Sequence, residues 1–244
     1  MNKPLKIVLI SLGAIIVVIL GFFAYMFLPV GVTRVITPTG QITDNVYAIS
    51  GGYVNCYLVS NGADYILIDS LTSPEALKTG LDELGIDPES IRYVFLTHAD
   101  YDHAGGLPLL SNVTVYMSSD EEQMINGKTA RFIFAPPAVK EIKHTALNDS
   151  QNLIIGSTMI RAIAAPGHTP GSMCYLVDGK YLFAGDAMNL NDGKADVFFF
   201  KYTMDMETMK KSIRKIAAIT GITAIFTGHT GYTTNAQAAF EGWK

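Results

Sequence analysis

Two of the chain's five histidines fall within one six-residue stretch, His98-Ala99-Asp100-Tyr101-Asp102-His103. Two imidazoles and two carboxylates so close together are four candidate metal ligands. The stretch follows the apolar run Tyr93–Leu96, so it lies where a strand ends and the chain turns towards a helix. An irregular turn there can aim His98 and Asp100 one way and Asp102 and His103 another, which suits two adjacent cations. Three later positions share this context: His168 in the turn Pro166-Gly167-His168-Thr169-Pro170-Gly171-Ser172, Asp186 after the run Tyr181–Ala184, and His229 after Ala224–Phe226. Loops at one edge of a pair of sheets would bring them together. Two cations a few ångströms apart lower the pKa of a shared water and stabilise negative charge on the attacked and leaving oxygens. The expected chemistry is attack on an ester, lactone, thioester, amide or phosphoester.

The elements that must position these residues are legible as alternating patterns. Strand-like runs occur at Asn45–Ser50, Val54–Ser60, Tyr65–Asp69, Tyr93–Leu96, Val113–Met117, Leu153–Ile155, Met159–Ala164, Met173–Val177, Tyr181–Ala184 and Ala224–Thr227. Asn61-Gly62, Gly156-Ser157 and Asp178-Gly179 are hairpin signals between neighbouring runs. A helix is predicted over Ala76–Leu84, with Ser73 as cap, Pro74 in the first turn and Gly85 as stop. A shorter one opens at Ser119 and ends near Gly127, and a third, Asp205–Thr220, carries Met206, Met209, Ile213 and Ile216 on one stripe. Strands joined here by helices and there by hairpins predict a mixed α/β (α+β) domain with two sheets. Lys128–Ser150, with Ala135-Pro136-Pro137, breaks the pattern and reads as an irregular insertion or lid.

The order His98-x-Asp100-x-Asp102-His103, then His168, Asp186 and His229, resembles the metallo-β-lactamase-fold hydrolase superfamily, over about Thr33 to the C-terminus. The resemblance implies a four-layer αββα sandwich with the site on one edge of the sheets. It implies that His98, Asp100 and His168 bind one metal, and that Asp102, His103 and His229 bind the other. Asp186 would bridge them together with a hydroxide, making Asp102 and Asp186 the catalytic carboxylates, and Asp69 would support the metal loop through hydrogen bonds. The family motif has histidine where this chain has Asp100. Two divalent ions are expected, zinc first, but the extra carboxylate makes iron or manganese more competitive. The expected activity is dinuclear metal-dependent hydrolysis, and the alternative is a non-haem di-iron redox protein of the same fold. Antibiotic hydrolysis does not follow from the fold's name.

Around this set, Tyr101 and Asn189 are candidate substrate contacts. Tyr101 is read equally as packing, and Phe198-Phe199-Phe200 as either an apolar rim or core. Gly51-Gly52-Tyr53 is expected to be a loop near the site, and His144 a surface residue or a substrate contact. Cys56 and Cys174 are buried thiols or one disulfide.

Composition limits the rest. With 49% hydrophobic and 16% charged residues the chain is a folded protein, and a net charge of −4 with no basic stripe excludes nucleic acid as an expected partner. From Ile7 to Leu28 no charge occurs, and that length of helix would span about 33 Å, enough for a bilayer core. Lys3 and Lys6 before the run and Arg34 after it predict a single-pass cell-membrane protein, with residues 1–30 as anchor and 31–244 as an extracytoplasmic catalytic domain. A cleaved signal peptide is the alternative. The expected substrate is a small molecule or an envelope-derived compound. Oligomeric state is not specified.

Overall fold

Strands that are apolar on both faces need cover on both sides. In Met173–Val177 every residue is buried, and the period of two sends Met173, Tyr175 and Val177 to one face and Cys174 and Leu176 to the other. The computed structural model describes residues 11, 13–22, 34–131, 139 and 142–244, and shows what supplies that cover.

One sheet has the order β1 (Gly40–Gln41), β2 (Val46–Ser50), β3 (Asn55–Asn61), β4 (Asp64–Ile68), β5 (Ile91–Phe95), β6 (Thr114–Ser118), β7 (Thr145–Leu147). It is antiparallel as far as β4 and parallel beyond. The second sheet runs β8 (Asn152–Ile155), β9 (Thr158–Ala164), β10 (Met173–Val177), β11 (Tyr181–Gly185), β14 (Ala224–Thr227), β15 (Tyr232–Thr233), with only the β11–β14 pair parallel. A separate ribbon pairs β12 (Asn189–Asn191) with β13 (Lys194–Asp196). The three hairpin signals each join an antiparallel pair: β3–β4, β8–β9 and β10–β11.

The sheets face each other across a core that includes Tyr57, Val59, Ile68 and Phe95 from the first and Ile160, Tyr175, Phe183 and Phe226 from the second. The other face of the first sheet, with Cys56, Leu58 and Leu67, packs against Leu77 and Leu81 of α1 (Pro74–Leu84). Ser73 caps α1 by accepting from Ala76 N, and Gly85, at φ 67°, ends it in the left-handed region. Short helices α2 (Tyr101–Ala104) and α3 (Glu122–Ile125) follow. In α4 (Met206–Ala217) Met209, Ile213 and Ile216 are buried as the stripe predicts, and Ser212 and Lys215 bond the carbonyls of Pro166 and Ala164. The last helix is α5 (Ala236–Ala239). Strands β1, β7, β12, β13 and β15 were not anticipated, because two or three residues are too few to display alternation. Cys56 and Cys174 are buried free thiols.

The membrane expectation is corrected. The chain divides into units Met1–Val32 and Thr33–Lys244. In the first, the described residues 11 and 13–22 are helical. No helix among the described residues is long and apolar enough to cross a membrane. The transmembrane helix, the membrane as partner and the single-pass, extracytoplasmic placement therefore do not stand. The remainder of the apolar run lies outside the described residues.

Candidate metal centre

Four strand ends bring the predicted residues together. His98 follows β5, His168 lies in the turn from β9 to β10, Asp186 directly follows β11, and His229 is two residues beyond β14. Asp100 precedes α2, while Asp102 and His103 lie within it. His98 Nε2, Asp100 Oδ2 and His168 Nε2 form a triangle with sides of 3.1, 3.2 and 3.5 Å. Asp186 Oδ1 is 3.4 Å from His103 Nε2, and Asp186 Oδ2 is 3.3 Å from His229 Nε2 and 3.5 Å from His168 Nε2. His229 Nε2 is 3.4 Å from Asp102 Oδ2.

A tetrahedral cation bound at about 2.0–2.1 Å holds its donors about 3.3 Å apart. The donor set fits such a group. Three groupings place their ligand atoms within 4.8 Å of one another: His98, Asp100 and His168; His98, His103 and Asp186; and Asp102, His103 and His229. His103 Nε2 and Asp186 Oδ1 are buried without a hydrogen bond, a costly arrangement that a cation would relieve.

The electrostatics favour a cation too. Burial opposes charge on Asp186, yet the charges of His229 and His103 outweigh it and hold the carboxyl well below the usual range. Asp100 is likewise held down against burial, by His98 and His168. Burial depresses His229, but Asp186 and Asp102 lift it to about 9. His168 is pushed down to about 4, by burial first and then by the Arg131 guanidinium.

A surrounding layer fixes the donors. Asp69, in left-handed backbone at φ 61°, turns its carboxylate to Thr97 N at 2.8 Å and to His103 Nδ1, also at 2.8 Å. His229 Nδ1 lies 2.6 Å from the carbonyl oxygen of Tyr53, which puts Gly51-Gly52-Tyr53 beside the centre. A Cβ on Gly228 would lie 2.5 Å from Asp186 Oδ1 and 2.8 Å from His103 Cε1, so only glycine fits.

Phe198 packs 4.7 Å from the His168 ring and 5.6 Å from His229, and Phe199 6.3 Å from His229. Both are buried while Phe200 is exposed, so the triplet divides between wall and surface. Tyr101 is half exposed between Asp100 and Asp102. Asn189 is buried in β12 and donates to Val197 O; it does not join the ligand set. His144 lies beside Ile142 O and Glu122.

Sequence reasoning missed Glu121 and Arg131. The Glu121 carboxylate is fully buried and accepts from Ala99 N at 2.9 Å, Thr169 Oγ1 at 2.7 Å and Gly171 N at 3.1 Å. It thereby ties the loop of His98 to the loop of His168. Its only sequence signal, an acidic residue opening a helix, points to solvent. Arg131, from the irregular segment, reaches Asp100 Oδ2 and, at 3.0 Å, His168 Nε2. No local pattern announces it.

Residues 49–237 match the model of the metallo-beta-lactamase superfamily. Among curated proteins, the chain is 32% identical to a "Probable polyketide biosynthesis zinc-dependent hydrolase" of Bacillus velezensis, over 54% of each chain. It is 28% identical to an "Atrochrysone carboxyl ACP thioesterase" of Aspergillus fumigatus, over 75% of this chain and 52% of that one. The chain thus spans about half the length of these relatives. Among solved structures, a B3 metallo-beta-lactamase with an active-site glutamic acid superposes with TM-score 0.65 at 23% identity, covering 83% of this chain and 85% of that one. A subclass B3 enzyme of Bradyrhizobium japonicum gives TM-score 0.61 at 22%, over 80% and 79%. These two likenesses show the fold.

Proposed function

The chain belongs to the metallo-beta-lactamase superfamily, and on that premise we propose that it is a metal-dependent hydrolase of small-molecule esters, lactones, thioesters or phosphoesters. The observation that carries the reading is the convergence of seven side chains with donor spacings of 3.1–3.5 Å, those of ligands around shared cations. The catalytic body is taken as residues 31–244, layered αββα. His98, Asp100 and His168 would hold one divalent ion, and Asp102, His103 and His229 a second, with Asp186 facing both. Zinc is the first candidate, in keeping with the name of the Bacillus velezensis relative; the carboxylate of Asp100 also admits iron or manganese. Bound there, such ions would acidify water and stabilise the negative charge that develops on acyl or phosphoryl transfer.

The protein's own groups do the rest. Asp69 and the Tyr53 carbonyl fix the ring orientations of His103 and His229. Phe198 and Phe199 keep water from one side of the two imidazoles. Tyr101, half exposed between Asp100 and Asp102, is the candidate substrate contact. The thioesterase name among the relatives puts acyl thioesters first in the panel.

The test is elemental analysis of protein expressed without added metal, followed by a hydrolytic panel on the same sample. One or two zinc or manganese ions per chain with turnover, both lost together in D186A and H168A, supports the reading. Full activity in either metal-depleted variant overturns it. Iron with oxygen reactivity and no hydrolysis would favour the di-iron redox alternative that Asp100 motivates.

A further inference from the structure

We infer that the Arg131 guanidinium competes with a cation for the His98–Asp100–His168 donors, so that this half of the centre takes metal only after the half built on Asp102, His103 and His229. The inference rests on the metal reading above. Arg131 lies in the irregular segment beyond α3, yet its side chain is only 13% exposed, because it is inserted against the centre. Its Nη1 sits 2.5 Å from Asp100 Oδ2 and its Nη2 lies 3.0 Å from His168 Nε2. These are two of the three atoms that would hold the ion.

A neutral imidazole nitrogen has one in-plane lone pair. A guanidinium N–H that donates into the Nε2 lone pair of His168 leaves none for a metal. The carboxylate offers no escape. A cation bound to Asp100 Oδ2 at about 2.1 Å could lie no further than about 4.6 Å from Nη1 while that contact lasts. Two positive charges would then face each other in a buried site, where solvent screens weakly. Asp102 and Asp186, by contrast, pair with histidines: Asp102 with His229, and Asp186 with His103, His168 and His229. A cation entering the first half must displace a guanidinium. Asp100 favours this, since a carboxylate pairs with the guanidinium by charge, where a neutral imidazole could offer it only one lone pair.

The test is stepwise metal binding to the chelator-stripped full chain, followed with zinc against a chromophoric competitor and with cobalt by d–d absorption. In the wild type the first equivalent binds tightly and the second at least about tenfold more weakly. R131A and R131Q should tighten the second equivalent about tenfold or more and leave the first unchanged, while R131K, which keeps the charge, should stay near the wild type. Two equivalents of equal affinity in the wild type, unchanged in R131A, would overturn the inference and leave the metal reading intact, as would R131A weakening both. No uptake in any form would overturn the metal reading, and this inference with it.

Discussion

The hydroxyl of Tyr175 donates to the carbonyl of Leu96 at 2.6 Å, from the second sheet to the first, two residues before His98. A reciprocal bond runs from Tyr57 of the first sheet to Thr227 of the second at 2.8 Å, two residues before His229. Both rings lie in the core between the sheets, so each phenol places a polar tip where a ligand-bearing strand ends. The two sheets are therefore locked in relative position at the edge where the donors must converge.

Y175F removes a buried donor and leaves the Leu96 carbonyl without it, for an expected loss of about 1–3 kcal/mol. Chemical denaturation should show a lower midpoint with an unchanged m-value. Wild-type stability in Y175F would mean that the cross-sheet bond contributes nothing.

Glu121 presents a sharper case, because its two oxygens receive only donors. In E121Q the amide nitrogen must face either Ala99 N–H or Gly171 N–H, and one backbone donor goes unpaired. The expected cost is about 1–3 kcal/mol. Because the carboxylate joins the loops of His98 and His168, zinc affinity should fall with stability, whereas E121Q with wild-type zinc binding would show that the tie does not position the ligands.

Gly228 separates geometry at the centre from stability of the fold. G228A should keep a native far-UV spectrum and lose at least half of its bound metal by elemental analysis, because a methyl group would displace Asp186 and His103. Full metal content in G228A would show that the site relaxes around the methyl.

Metal removal should be felt by the whole domain. Ions that bind only the folded chain stabilise it by about 4 kcal/mol at a thousandfold excess over Kd. For a chain of this size a chelator should then lower Tm on the order of 10 °C. H168A and D186A should respond much less, and an equal response in those variants would trace the effect to another site.

The sequence alone determined the donor types, their order and their strand-end positions, because each candidate sits beside a glycine or turn residue that stops an apolar run. It also determined the unbroken apolar run that buries both faces of β10, and the cap and stop of α1, since these are local choices between neighbouring residues. The membrane placement failed because a run of uncharged residues reports hydropathy alone, and no helix among the described residues is long and apolar enough to span. Asn189 opens β12, where it is buried and its amide donates to Val197 O, a partner that only the fold brings to it. Glu121 and Arg131 became visible only in three dimensions. Glu121 meets partners 22, 48 and 50 residues away, and Arg131 partners 31 and 37 residues away. The contacts with His168, Thr169 and Gly171 are made by packing two sheets against each other and those with Ala99 and Asp100 by pairing β5 with β6, and no local periodicity encodes either.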